Sequence, residues 1–295
     1  MNIQEKGIHV GPCTSRSDFL QLLSTEDFRR RIELEKHIAK TNNQNEVFFL
    51  PGICRACDKA VDFRVDRNWG GRQIDGIWIP NWRERLTCPL CRLNNRQRAV
   101  AAGIKAFLGA RGAAPEPRLY FMEQITPIFE WVRKCYPLLS CDGSEYLGPT
   151  IAGGTLVNGI RHEDVECLSF AADSLDLIVS NDVLEHVNDP CRALRELVRV
   201  LRPRGELLLT IPFASSNDRN IHRAQIVNGQ IEHLLPPMYH GNPVSTDGSL
   251  VFTDFGWEVL EKLRESGFSH VSLTAYWSLE YGHLGGAQIY FYAVK

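Results

Sequence analysis

The chain has 295 residues, a formal net charge of −2, 44% hydrophobic and 23% charged residues. That length allows one large domain or two small ones with a real core. The near-neutral balance gives no global electrostatic case for nucleic acid or an anionic membrane, and no apolar run reaches membrane-spanning length.

The opening MNIQEKGIHV lacks the basic-then-apolar pattern of a signal peptide. Nine cysteines, an odd number, argue against a fully paired disulfide framework, so a reducing cytoplasm is expected. Residues 1–45 are polar and read as an N-terminal helical arm. An amphipathic helix is predicted over 18–40, from Phe19, Leu22, Leu23, Phe28, Ile32, Leu34 and Ile38, with a candidate break at 24–26. Arg29, Arg30 and Arg31 read as a solvated helix face rather than a basic contact. Residues 42–45 read as a loop.

Residues 46–112 form the next module. Cys54 and Cys57 make one C-x-x-C turn, and Cys88 and Cys91 make a second. Each turn puts two thiolates on one side, and two turns close a tetrahedral zinc site of zinc-ribbon type, with a longer gap than the commonest spacing. Strands are expected over 61–65 and 76–79, with a turn at Trp69, Gly70 and Gly71. With no open coordination position evident, zinc is expected to be structural. Four metal-free thiols are the alternative, and a C-x-x-C redox centre fits less well. A helix is predicted over 93–108, stopped by Gly109. Its basic first turns suit internal docking or a substrate phosphate. Residues 112–117, rich in Gly, Ala and Pro, read as the domain boundary.

Strands are expected over 118–122 and 138–142, with a helix opened by Thr126 and Pro127 between them and packed by Phe129, Trp131 and Val132. Residues 148–159 hold Gly and Thr and do not suit a long helix. Residues 175–213 read LDLIVSNDVLEHVNDPCRALRELVRVLRPRGELLLTIPF. An apolar strand comes first. Asp189 and Pro190 then open a helix whose Leu194, Leu197, Val198 and Leu201 recur at three-and-four spacing. Pro203, Arg204 and Gly205 stop it, and 207–211 is a second strand. Strand, helix and strand predict parallel neighbours with a right-handed crossover.

This segment resembles the fourth strand, following helix and fifth strand of class I S-adenosylmethionine (SAM)-dependent methyltransferases of type 11. Residues 181–187, NDVLEHV, match the acidic-aliphatic-Glu-His signature. Residues 199–207, RVLRPRGEL, match the R-V-L-K-P-G-G turn, with Arg204 where a glycine is usual. The resemblance runs from about residue 118 to the C-terminus. It implies an α/β fold with a Rossmann-like seven-stranded methyltransferase sheet, to which the cysteine spacing and the helical pattern above add a small N-terminal zinc-binding β-ribbon and helical arm. Residues 118–295 would be the methyltransferase domain, with an acceptor insertion at 214–250.

The resemblance also implies a cofactor site for SAM. Glu123 ends the first strand, within reach of the SAM ammonium. Gln124 and Thr126 lie in the following loop, which lacks the family's glycines. Glu145 matches the carboxylate that accepts from both ribose hydroxyls, with Asp142 the second choice and a plain turn acid the alternative; Tyr146 follows it. Asp164 would accept from the adenine amine and Val165 would cover the adenine face. Asn181 and Asp182 would sit below the reactive methyl, and Glu185 and His186 could line the same mouth. His186 reads either as a base or as a cap of its turn.

The insertion at 214–250 carries His222, Arg223, His233, Tyr239, His240, Asn242 and Asp247. His240, with Tyr239 beside it, is the leading candidate for acid–base work or acceptor orientation. Turns are expected at Pro236-Pro237 and at 241–243. A helix is predicted over 252–266 with Thr253 as its cap, then an antiparallel pair over 271–276 and 288–294, with a flexible loop at 282–286.

The expected function is methyl transfer from SAM to a small-molecule or glycan acceptor. Nucleic acid is disfavoured, and a homodimer is compatible. Two other readings stay open: a SAM-binding enzyme doing different chemistry on the cofactor, such as intramolecular cyclisation, and a non-catalytic scaffold.

Overall fold

The computed structural model describes residues 9–111, 116–242 and 244–295. The first eight residues, most of the candidate boundary at 112–117, and Pro243 of the 241–243 turn lie outside them.

In chain order, β1 (His9–Cys13) leads to α1 (Arg16–Ser24) and α2 (Glu26–Thr41). Ser15 and Asp18 form a capping box on α1. Thr25 is extended, at φ −68° and ψ 150°. It ends α1 and caps α2, its side chain accepting from the amide of Phe28. The arm is therefore two helices, broken at the expected place. Next come β2 (Val47–Cys54), β3 (Lys59–Asp66), β4 (Arg72–Ile74), β5 (Ile77–Ile79), α3 (Trp82–Arg85), β6 (Leu86–Thr87) and α4 (Asn95–Ala110). β3 pairs antiparallel with both β2 and β6. Asn94 and Gln97 form a capping box on α4, and Gly109 lies inside that helix rather than ending it.

The next stretch holds β7 (Arg118–Phe121), α5 (Pro127–Cys135), β8 (Ser140–Gly143), β9 (Leu156–Val157), β10 (Ile160–Arg161) and β11 (Leu175–Asn181). No helix is described over 148–159, as the sequence predicted. A 3-10 turn at Leu184–His186 precedes α6 (Pro190–Val200) and β12 (Leu201–Thr210). Asp189 caps α6, accepting from the amide of Arg192 at 2.9 Å, with Pro190 in its first turn. Ala193, Leu194, Leu197 and Val200 are buried, each leucine contributing roughly 1.5–3 kcal/mol of burial. The helix ends at Val200, and Arg204 adopts a left-handed φ of 66° beyond it.

The insertion is built from paired segments: β13 (Ile221–His222), β14 (Ala224–Val227), β15 (Gln230–His233), β16 (Tyr239–Asn242), β17 (Ser245–Leu250) and β18 (Thr253–Asp254). α7 (Glu258–Glu265), β19 (His270–Ser278) and β20 (His283–Val294) close the chain. The helix expected over 252–266 thus starts six residues late, and Thr253 does not cap it. The amide of Phe252 donates to the carbonyl of Glu185 at 2.7 Å, and that of Arg223 donates to the carbonyl of Phe252. Phe252 is thus committed to the Glu185 turn and to Arg223, while Thr253 and Asp254 pair antiparallel with β13. Residues 283–286, expected as a flexible loop, begin β20. The Glu35 carboxylate fixes them, accepting from the amides of Gly285 and Gly286 and from Trp277 Nε1. Burial pushes the Glu35 carboxyl up, and those donors oppose the shift.

Two compact units divide the described chain: Met1–Ala114 with Leu273–Tyr290, and Pro115–Ser272 with Phe291–Lys295. Seven strands run in the order β1-β19-β20-β12-β11-β7-β8. β11 is buried throughout and lies parallel to β12 on one side and β7 on the other. β7 is also parallel to β8. Beyond β8 the described residues add an isolated parallel bridge between Glu145 and His162, and β1 is the seventh strand, at the opposite edge. The chain runs from β7 to β8 on one side and returns to β11 on the other. The switch point therefore lies at β7, and ligands of such sheets bind outside the carboxyl ends of the strands there.

Candidate functional site

Three strand ends converge at that edge. Glu123, just past β7, is buried, and its Oε1 accepts from the side-chain amide of Asn181 at the end of β11. The backbone amide of Asn181 donates to Glu123 Oε2 at 3.3 Å. The two groups are thereby fixed across the switch point. Glu145, past β8, is 9% exposed. Its Oε1 accepts from the amides of Gln124 at 2.8 Å and Ile125 at 2.7 Å. Burial raises the Glu145 carboxyl above the ordinary range, and the two amides oppose this. Gln124 ties the glycine-free loop to the β9–β10 hairpin: its Nε2 donates to Gly159 O, and its Oε1 accepts from the Arg161 amide, each at 3.0 Å. Thr126 caps α5 through its hydroxyl, at 3.4 Å from the Phe129 amide.

Beyond Glu145 the side chains turn outward. Tyr146 is 53% exposed, its ring 5.5 Å from that of His162. Asp164 accepts from the amide of Glu166 at 2.9 Å as a turn acid, and Val165 follows, half-buried. The sequence reading passed over two buried neighbours. His162 Nδ1 accepts from the Leu147 amide at 2.9 Å. Glu163 accepts from Arg161 Nε at 2.8 Å, from the Ser169 hydroxyl at 2.6 Å and from the Ser169 amide at 2.9 Å. The opposite charges of Arg161 and Glu163 two positions apart were the available signal.

Asp182 follows β11 with φ 54°, a conformation that Asp tolerates better than most residues. Its Oδ1 accepts from the Thr210 hydroxyl at 3.0 Å. The 3-10 turn then presents Glu185, 1% exposed, with His186 beside it. Oε1 of Glu185 lies 3.7 Å from both His186 Nε2 and His240 Nδ1. These separations exceed hydrogen-bond length, and neither Glu185 oxygen accepts a hydrogen bond among the described residues. The Glu185 carboxylate raises the His240 imidazole pKa, and burial opposes it. His186 Nδ1 sits 2.8 Å from the carbonyl of Leu250. Tyr239, one residue along β16 from His240, falls on the opposite strand face and is 55% exposed. The structure therefore brings His186 and His240 together around Glu185 and leaves Tyr239 outside that group.

The four cysteines gather in the N-terminal unit. Cys54 ends β2, Cys57 lies in the β2–β3 turn, and Cys88 and Cys91 lie in the turn after β6. Asp58 and Arg92, at φ 52° and 62°, let these two turns reverse tightly. The sulfurs of Cys54 and Cys91 stand 3.8 Å apart, those of Cys57 and Cys88 3.9 Å apart, and all four fall within 4.8 Å. Four sulfurs about 2.3 Å from a central zinc stand about 3.8 Å apart at tetrahedral angles. The donor set therefore fits the ion in type and in spacing. Contact with Cys54 and Cys91 lowers the Cys88 thiol pKa, whereas neighbouring sulfurs raise those of Cys54 and Cys91 and burial raises that of Cys57.

Residues 130–209 match the family model described as a methyltransferase domain. No protein of curated function matches the chain. Among solved structures, a SAM-dependent methyltransferase from Mesorhizobium loti is 17% identical, with 67% of this chain and 98% of that chain covered and a TM-score of 0.39. A Burkholderia thailandensis 1,6-didemethyltoxoflavin-N1-methyltransferase, with bound 1,6-didemethyltoxoflavin and S-adenosylhomocysteine, is 15% identical over 68% and 77% of the two chains, with a TM-score of 0.37. A chain of the Haloferax volcanii complex between the Trm112 methyltransferase activator and a methyltransferase is 14% identical over 68% and 93%, with a TM-score of 0.39. The segment from α5 to β12 is a methyltransferase-domain match set in a mixed α/β sheet. No helix among the described residues is long and apolar enough to cross a membrane.

Proposed function

We propose that the protein is a SAM-dependent methyltransferase acting on a small-molecule or glycan acceptor, with structural zinc in the four-cysteine cluster. The observation that carries this reading is the convergence of Glu123, Glu145, Asn181 and Asp182 at the carboxyl ends of β7, β8 and β11, around the switch point and inside or beside the matched segment. SAM supplies an activated methyl group on a sulfonium. The chain then has to hold the nucleoside, align the acceptor and exclude water.

In this reading the Oε2 of Glu145 meets the ribose, since Oε1 is engaged with the loop. Asp164 and Val165 border the adenine, and Glu123 and Asn181 sit below the methionine portion. Glu185, His186 and His240 lie past the end of β11, where the acceptor would approach. An acceptor that must lose a proton during attack needs a base there, and with no cation bound between them His240 is the best-placed of the three to take it.

The test is product mass. The purified full chain is incubated with SAM and panels of hydroxylated small molecules and saccharides. The reading expects an acceptor heavier by one methyl group, with S-adenosylhomocysteine released in equal amount. A SAM fragment with no methylated acceptor would favour different chemistry on the cofactor, and no SAM binding would favour a scaffold.

A further inference from the structure

We infer that Glu185, His186 and His240 form a second metal site, taking a divalent transition cation and separate from the four-cysteine cluster. The carboxylate of Glu185 is buried, yet among the described residues neither oxygen accepts a hydrogen bond. A bare buried carboxylate is costly, and a cation is the direct remedy.

The ligand spacing is right for one ion. His186 Nε2 and His240 Nδ1 each lie 3.7 Å from the same Glu185 oxygen, and the three ligand atoms fall within 4.8 Å of one another. Two ligand atoms about 2.1 Å from a shared ion, at a tetrahedral angle, stand about 3.4 Å apart. Such a gap is too long for direct hydrogen bonding and short enough for an ion to bridge.

The tautomer of His186 is also set. Its Nδ1 is 2.8 Å from the Leu250 carbonyl, which can only accept. The ring proton therefore sits on Nδ1, and Nε2 offers its lone pair on the Glu185 side. An outer hydrogen bond from the non-ligating nitrogen to a carbonyl is the usual support of a metal-binding histidine.

Two imidazoles and one carboxylate suit zinc, manganese, iron or cobalt better than magnesium or calcium, which prefer oxygen alone. Three protein ligands leave coordination positions for water or an acceptor hydroxyl. Such a hydroxyl would lose its proton more readily than a free one. This last step rests on the methyltransferase reading; the metal site itself does not.

The test loads the full chain with one zinc per chain at the cysteines and then titrates it with Co2+. The expected result is one further equivalent per chain, with weak visible bands that lack thiolate charge transfer. Glu185→Gln and His240→Ala should each weaken that binding at least tenfold and leave the cysteine-bound zinc at one per chain. His240 is part-exposed on a paired strand, so its variant keeps the fold even if the buried Glu185 variant does not. No second equivalent, or unchanged binding in a folded His240→Ala, would leave only a carboxylate–imidazole ion pair and overturn the proposal. SAM calorimetry run in parallel keeps the outcomes apart. Heat from SAM without cobalt binding defeats the metal site alone, and cobalt binding without heat from SAM defeats the methyltransferase reading alone.

Discussion

Oε1 of Glu145 accepts from two consecutive backbone amides, and so shapes a loop that contains no glycine. Removing the carboxylate leaves both amides without it, at about 1–3 kcal/mol for each that stays buried. Glu145→Ala should therefore lower the denaturation midpoint and weaken SAM binding together, whereas Glu145→Gln, which keeps an acceptor oxygen, should lose less of both. Asp66 offers a pH test. Arg85, foremost, and Arg64 hold its buried carboxyl at about 2, against an unfolded value near 3.9. A depressed folded pKa gives stability that is complete above about pH 4 and disappears as the pH falls toward 2. At most about 2 kcal/mol is involved, since both arginines are partly exposed. Denaturation from pH 2 to 6 should show Asp66→Asn differing most from the parent at pH 6 and least at pH 2. Arg204 stands at φ 66°, where glycine is at ease. Arg204→Gly should raise stability by up to about 1 kcal/mol in urea denaturation.

The cysteine turns and α4 act as one device. Arg98 of α4 is buried, and it donates to the carbonyls of Leu86 at 2.7 Å, Leu93 at 3.1 Å and Gly282, with its guanidinium over Phe63. Burial lowers its pKa to about 10, and the charges of Cys54, Cys88 and Cys91 oppose that shift. Zinc held by four thiolates would keep a net negative charge, which this cation would balance. Arg98→Met should therefore weaken zinc at least tenfold in competition with a chromophoric chelator. Stripping the metal should melt the β2–β3–β6 sheet, read by far-ultraviolet circular dichroism. Both cysteine pairs were legible from spacing alone, because a C-x-x-C turn brings its two sulfurs together within four residues. The cap and buried face of α6 were equally plain, from Asp189, Pro190 and Leu197. The start of α7 was not. Phe252 and Thr253 carry a helix-like pattern, and only the distant partners Glu185 and Arg223 divert their backbone. The fixing of residues 283–286 was hidden for the same reason, since Glu35 lies about 250 positions away.

Across the whole chain, the parallel strands β7, β8, β11 and β12 were readable from apolar runs and their punctuation, whereas the edges were not. β1 completes the sheet from the far end of the sequence, and beyond β8 a single bridge joins Glu145 and His162. The site divides the same way. The strand-end acids could be assigned because each follows a strand. The meeting of His240 with Glu185 depends on the fold of a long insertion, and sequence spacing carries no trace of it. In the methyltransferase reading those strand-end carboxylates grip a nucleoside beside a loop that has no glycine. Isothermal titration calorimetry of the full chain with SAM tests this most directly: one site per chain, lost or at least tenfold weaker in Glu145→Ala, is the predicted result, and the absence of both heat and any SAM-induced rise in melting temperature would contradict it.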